Sequence, residues 1–179
     1  MSSCTSRSRL RRRLRRRLAV LLGGALLAPL ALAQSLHDVE LRRLDGTGRQ
    51  ALAQVADGPL LLMLFEPACG WCLRQSRAIN TLLGECPQLA AVAVGVDGSR
   101  RDLRDSVRRY RADFPAFEAS AELLGALGDI EGTPFTLIAD AGGLPLGWLR
   151  GYVPAPRLRA SLEQFDATLC AGKAPTAGS

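Results

Sequence analysis

The apolar run Leu60–Phe65, which stops at Pro67 and meets Cys69-Gly70-Trp71-Cys72, constrains this 179-residue chain more than any other stretch. Six apolar residues in a row, without alternation, predict a strand covered on both faces. Beyond them Cys72, Ser76, Ile79 and Leu83 recur at helical spacing, so a helix is expected from Cys69 or Trp71 to Leu83, with Gly84 as its C-cap. Two thiols two residues apart, where a strand gives way to a helix, point to thiol–disulfide exchange. At a helix N-terminus the free N–H groups and the positive end of the dipole favour the thiolate, which is the attacking species. Cys69 is therefore the expected nucleophile. Cys72, one turn later and more enclosed, is the expected thiol that resolves a mixed disulfide.

A CxxC is also half of a zinc site. A closed site needs two more ligands, and the only histidine, His37, lies near the expected mature N-terminus, so no metal and no cofactor is expected. Two inert core cysteines are the other alternative, against which the order strand, CxxC, helix speaks.

Eight arginines and no acid fall within Arg7–Arg17, ahead of the apolar segment Leu18–Leu32 and the tripeptide Ala31-Leu32-Ala33. This pattern predicts a secretory signal, residues 1–33, cut after Ala33. The apolar run is short for a bilayer span and contains Gly23, Gly24 and Pro29, so membrane attachment is expected only if the segment stays uncleaved. A twin-arginine export signal is a third option, and Cys4 lies upstream of the cut in every case. Eight of the 23 Lys+Arg leave with the signal, so 15 remain against 17 Asp+Glu and the net charge becomes −2. The basic character thus belongs to the leader, and no nucleic-acid partner is expected. The domain expected over 34–170 is large enough for one full core, and export places its cysteines where disulfides persist.

In Gln34–Gly58 the turn signal Asp45-Gly46-Thr47-Gly48 separates two short segments, predicting an edge hairpin that leads into a helical turn. Leu89–Val96 is a second apolar strand, and strand, helix, strand makes a right-handed βαβ unit with parallel neighbours. Ser99 is expected to cap a helix reaching Arg111, with Leu103, Val107 and Tyr110 inward and its arginines on a solvated face beside Asp102 and Asp105. Phe114–Phe117 reads as a short extended piece and Ser120–Leu127 as a short helix. After Gly132-Thr133-Pro134 the strands Phe135–Ala139 and Leu146–Arg150 flank the turn Asp140–Gly143. A last helix carries Leu158, Leu162, Phe165 and Leu169, with residues 171–179 as a disordered tail.

This order resembles the thioredoxin fold, an α/β fold of the plan βαβ–α–ββα, here with an N-terminal hairpin extension and a helix/extended insertion at Ser99–Glu118. The resemblance implies a cis peptide bond before Pro134, seated against the CxxC, with Thr133 and Trp71 lining a groove where an extended peptide pairs. The insertion and the opening hairpin are similar to exported thiol-disulfide oxidoreductases of the TlpA/ResA type, over roughly Val39–Leu169. Membership of that type implies a periplasmic protein that exchanges electrons with exported proteins bearing disulfides and is kept reduced by a membrane thiol reductant. Phe65–Cys72 and Gly132-Thr133-Pro134 are also similar to DsbC-type isomerases, although residues 34–58 are too few for their dimerisation domain. Where thioredoxin keeps a buried Asp this chain has Met63, and where TlpA/ResA relatives often have a Glu it has Gln75. Glu66 and Glu131 are left as candidates for proton transfer.

The thioredoxin arrangement also implies that the dithiol helix and the last helix end near each other, so Cys86 and Cys170 are expected to form a structural disulfide. Two free thiols are the alternative. The leading functional expectation is a thiol-disulfide reductase with Cys69, Cys72 and Pro134 as catalytic residues. A disulfide oxidase or isomerase is the first alternative. From another class, a metal-binding chaperone on this fold stays open, although the CxxxC and distal histidine of copper-delivery relatives are missing. A peroxiredoxin is set aside because Glu66 stands where its threonine would be.

Overall fold

The computed structural model describes residues 35–56, 58–165, 167 and 170. The expected leader 1–33, Leu169 and the tail 171–179 lie outside the described residues. Among these residues no helix is long and apolar enough to cross a membrane.

Among the described residues seven strands form one sheet. In chain order they are β1 (Glu40–Arg43), β2 (Arg49–Ala51), β3 (Leu60–Phe65), β4 (Ala90–Gly95), β5 (Ala116–Glu118), β6 (Phe135–Ala139) and β7 (Pro145–Arg150). Their order across the sheet is β2-β1-β5-β4-β3-β6-β7, with β3, β4 and β5 parallel and the other pairs antiparallel. The helices are α1 (Gly70–Glu85), α2 (Arg100–Tyr110), α3 (Ala121–Leu127) and α4 (Ala155–Phe165). The run of six apolar residues has its explanation in β3, which is buried at every position. Leu61, Met63 and Phe65 face one core with Ile79 and Leu82 of α1 and Leu158 and Leu162 of α4. Leu60, Leu62 and Leu64 face a second core with Leu123 of α3 and Leu36, Leu41 and Leu52 of the N-terminal segment. Each leucine so enclosed contributes about 1.5–3 kcal/mol, so β3 is the most firmly held element that reaches the dithiol.

Three boundaries differ from the sequence reading. Helix α1 does not stop at Gly84: it runs to Glu85, and Cys86 is its C-cap, its N–H donating to the Leu82 carbonyl at 2.8 Å. The reason is that Gly84 has no need here for the left-handed backbone it permits. The extended piece around Phe117 is a true strand, β5, because Phe117 is fully buried and Ala116–Glu118 pairs with β4. The N-terminal hairpin consequently joins the sheet through β5 rather than beside β3. Finally, α2 ends at Tyr110 and Arg111 takes the left-handed cap.

Candidate active site

Between β3 and α1 the chain must reverse within four residues. Ala68 does so with a positive φ of 59°, sparsely populated for a residue with a Cβ. Gly98, at φ 91°, lets the β4–α2 loop close against Pro67, since a Cβ there would stand 2.6 Å from the proline Cγ. Cys69 then becomes the N-cap of α1. Its Sγ accepts a hydrogen bond from the Cys72 N–H at 3.1 Å, the role that Ser or Asp oxygen usually fills. The same N–H and the helix dipole would stabilise a Cys69 thiolate.

The two sulfurs are joined as a disulfide, with Cα atoms 5.2 Å apart. Cys69 is half-buried and Cys72 has no exposed surface. That asymmetry suits an attacking and a resolving thiol. The Thr133–Pro134 bond is cis, and the Thr133 carbonyl oxygen lies 3.6 Å from Cys69 Sγ. Pro134 is buried, and its own carbonyl accepts from Gly151 N–H at 2.8 Å. Beside it opens a shallow cavity of about 160 Å³ between the Glu131–Phe135 segment and Arg150-Gly151. Around the dithiol an exposed aromatic wall rises: Trp71 stacks on Tyr152 with centroids 6.0 Å apart, and the Arg74 guanidinium sits 4.6 Å from the Trp71 ring centre.

Tyr110 holds the junction from outside. Its hydroxyl donates to the Glu66 carbonyl at 2.7 Å and accepts the Cys69 N–H at 3.0 Å, while its ring meets Phe65 edge-on. Sequence reading placed Tyr110 on the inner face of α2 without this task. A buried aromatic with a polar tip was the available signal, because such a hydroxyl needs a partner. Gln75, noted only as a departure from relatives, is fully buried and accepts the Val153 N–H at 2.7 Å, tying α1 to the loop that carries Tyr152.

The structure thus gathers Cys69, Cys72, Trp71, Thr133 and Pro134 in one place. The two glutamates are less closely engaged. Glu131 is exposed at the cavity rim and pairs with Arg150. Glu66 is partly buried, and it is its carbonyl, not its carboxylate, that the Tyr110 hydroxyl bonds. Cys86 and Cys170 lie elsewhere, bridged with Cα atoms 4.3 Å apart, at the opposite end of α1. A larger cavity of about 560 Å³ among Arg43, Arg104 and Phe114 shares no residue with the cavity beside Pro134.

No protein-family model matches the chain, and no curated protein matches it. Solved structures do. A secreted disulfide oxidoreductase of Mycobacterium tuberculosis, homologous to DsbE of E. coli, matches with a TM-score of 0.59 at 14% identity, over 71% of this chain and 96% of its own. The thioredoxin domain of a thiol-disulfide oxidoreductase from Bacteroides vulgatus gives 0.61 at 13% identity, over 74% and 96%. A secreted thiol-disulfide isomerase from Corynebacterium glutamicum gives 0.62 at 18% identity, over 73% and 84%. The likeness is one of fold: this chain has the thioredoxin fold.

Proposed function

We propose that the protein is an exported thiol-disulfide oxidoreductase that reduces or exchanges disulfides in periplasmic proteins. The observation that carries this reading is Cys69 itself, half-buried at the head of a 16-residue helix, accepting the Cys72 N–H and touching the carbonyl of Thr133. Cys69 attacks one sulfur of a substrate disulfide and the other leaves as a thiolate. Cys72 then attacks Cys69, releasing the second substrate thiol and closing the pair. Trp71, Tyr152 and Arg74 form the wall of a groove for extended polypeptide, and Thr133 and Pro134 form its floor. Electrons return from a membrane thiol reductant. The basic leader and apolar segment support export, as do the secreted proteins that share the fold.

Trapping tests the reading. Cys72→Ala, produced with its leader in an exporting cell, is expected to accumulate mixed disulfides with exported proteins through Cys69, and the Cys69→Ala variant to accumulate none. Absence of adducts on Cys72→Ala would remove the activity. Direction is tested by setting insulin reduction against refolding of a scrambled protein; faster catalysis of the first supports a reductase, of the second an isomerase.

A further inference from the structure

Cys72 must lose its proton before it can attack a mixed disulfide on Cys69, because the thiolate is the nucleophile. Yet it is fully buried, and burial in apolar surroundings disfavours the anion. No Asp, Glu, Lys, Arg or His is buried among the described residues. The charged and titratable groups around the dithiol are otherwise engaged or at its rim. Tyr110 of α2 donates its hydroxyl to the Glu66 carbonyl; Glu131, before Thr133, pairs with Arg150; Arg74 of α1 stacks on Trp71; Glu66 precedes the dithiol. From β3, β6 and α4 the shared core presents Met63, Phe65, Ile138, Leu158 and Leu162, none of them titratable. None of these groups hydrogen-bonds the Cys72 sulfur.

Three neutral donors on that side of the sheet are weakly engaged or unpartnered. Ser76, one turn beyond Cys72 on the same helix face, is fully buried and meets only the Met63 sulfur, at 3.9 Å. Thr136 pairs directly with Met63 across the β3–β6 ladder, two residues past Pro134, and its buried hydroxyl has no partner. Gln75, also one turn beyond Cys72, gives its oxygen to Val153 while its buried Nε2 has no partner. Side chains on a helix lean toward its N-terminus, so positions 75 and 76 cover the turn that begins at Cys72. Buried donors without acceptors are rare; Thr136 and Gln75 each hold one and Ser76 meets only a thioether, all on the face of the sheet where Cys72 is buried, a pattern that fits an acceptor absent from the closed disulfide.

Resting on the oxidoreductase reading, we propose that Ser76, Thr136 and Gln75 receive the Cys72 thiolate when the disulfide opens, stabilising it with neutral donors in place of a charged group. In the step concerned, the Cys72 thiol gives its proton to solvent and its thiolate attacks Cys69 Sγ of the mixed disulfide. The Cys69–Cys72 bond forms, the substrate sulfur leaves as a thiolate that takes up a proton, and the two electrons lost by the cysteine pair pass to the substrate.

A chromogenic aryl disulfide separates the two attacks, because reduced protein releases one aryl thiolate when Cys69 attacks and a second when Cys72 resolves the adduct. In the double variant Ser76→Ala, Thr136→Val the pH midpoint of the second release is expected about one unit higher, making that phase about tenfold slower at neutral pH. The first release should stay within about twofold of wild type, as expected if Cys69 keeps its helix cap. Thr136→Ser, which keeps the hydroxyl, should retain the wild-type midpoint. If the double variant does not fold, Ser76→Ala alone is expected to shift the second midpoint in the same direction by less. An unmoved second midpoint in these variants, or a midpoint that moves with Glu66→Gln instead, overturns the inference. Failure of wild-type protein to give the first release overturns the oxidoreductase reading and this inference with it.

Discussion

At the scale of single residues, Tyr110 fixes the backbone that carries Cys69, the proposed nucleophile. Its hydroxyl satisfies the Glu66 carbonyl and the Cys69 N–H together, at the point where the chain turns through the strained backbone of Ala68. Tyr110→Phe keeps the edge contact with Phe65 but leaves both backbone groups unpaired. It is expected to lower stability by about 1–3 kcal/mol in chemical denaturation. Under the proposed function, Trp71 acts on the substrate side. It is 55% exposed, with Tyr152 stacked on it at 6.0 Å and the Arg74 guanidinium 4.6 Å from its ring centre, which under the proposed function makes it a contact for polypeptide. Trp71→Ala should raise KM for a peptide disulfide by roughly two- to tenfold, the effect of one lost aromatic contact, with kcat little changed in steady-state assays.

At the scale of elements, α1 is clamped at both ends. One end is capped by Cys69; the other carries Cys86, bridged across 84 residues to Cys170. In the chain-entropy account, a crosslink of that span stabilises by about 4 kcal/mol. The variant Cys86→Ala, Cys170→Ala should lose that amount in denaturant titration while Cys69 alkylates as fast as before, because the cap at the other end is untouched. In the β1–β2 hairpin Asp45 accepts from Arg43 at 2.8 Å and from the Thr47 hydroxyl and N–H at 2.7 and 3.0 Å. The Arg43 hydrogen bond first, then those from Thr47, hold its carboxyl well below the usual carboxylate range. With the folded pKa depressed, its stabilisation is complete above the unfolded value of about 3.9 and fades as pH falls further. The side chain is 45% exposed, so Asp45→Asn should cost under about 1 kcal/mol at neutral pH, shrinking in strong acid, as thermal unfolding at the two pH values would report.

At the scale of the whole molecule the two disulfides are set apart by the length of α1, 16 residues or about 24 Å. One is partly exposed through Cys69; the other joins sulfurs on residues only 0% and 4% exposed. Graded reduction of the chain lacking residues 1–33 should therefore free Cys69 and Cys72 first. Mass analysis after alkylation is expected to show two labels under mild reductant, and four only after denaturation. A single step to four would mean that the bridges are not independent.

The local record of the chain was sufficient for the dithiol, the strand that feeds it, the helix that follows and the βαβ unit. Each is written in a run of neighbouring residues: six apolar positions, two cysteines, a helical repeat from Cys72 to Ile79. Periodicity reports which way a residue faces, and that was enough to put Tyr110 inward and to read Leu60–Phe65 as covered on both sides. It does not report what a residue meets. That Tyr110 reaches back 41 residues to the Cys69 N–H and Gln75 forward 78 to Val153 depends on how elements cross. So does the insertion of β5 between the hairpin and β4, a three-residue strand too short to alternate visibly. Sequence determined where a dithiol stands at the start of a helix, because that follows from residue type and spacing; tertiary packing decided what surrounds it, because hydrogen bonds and burial arise only between segments brought together by the sheet.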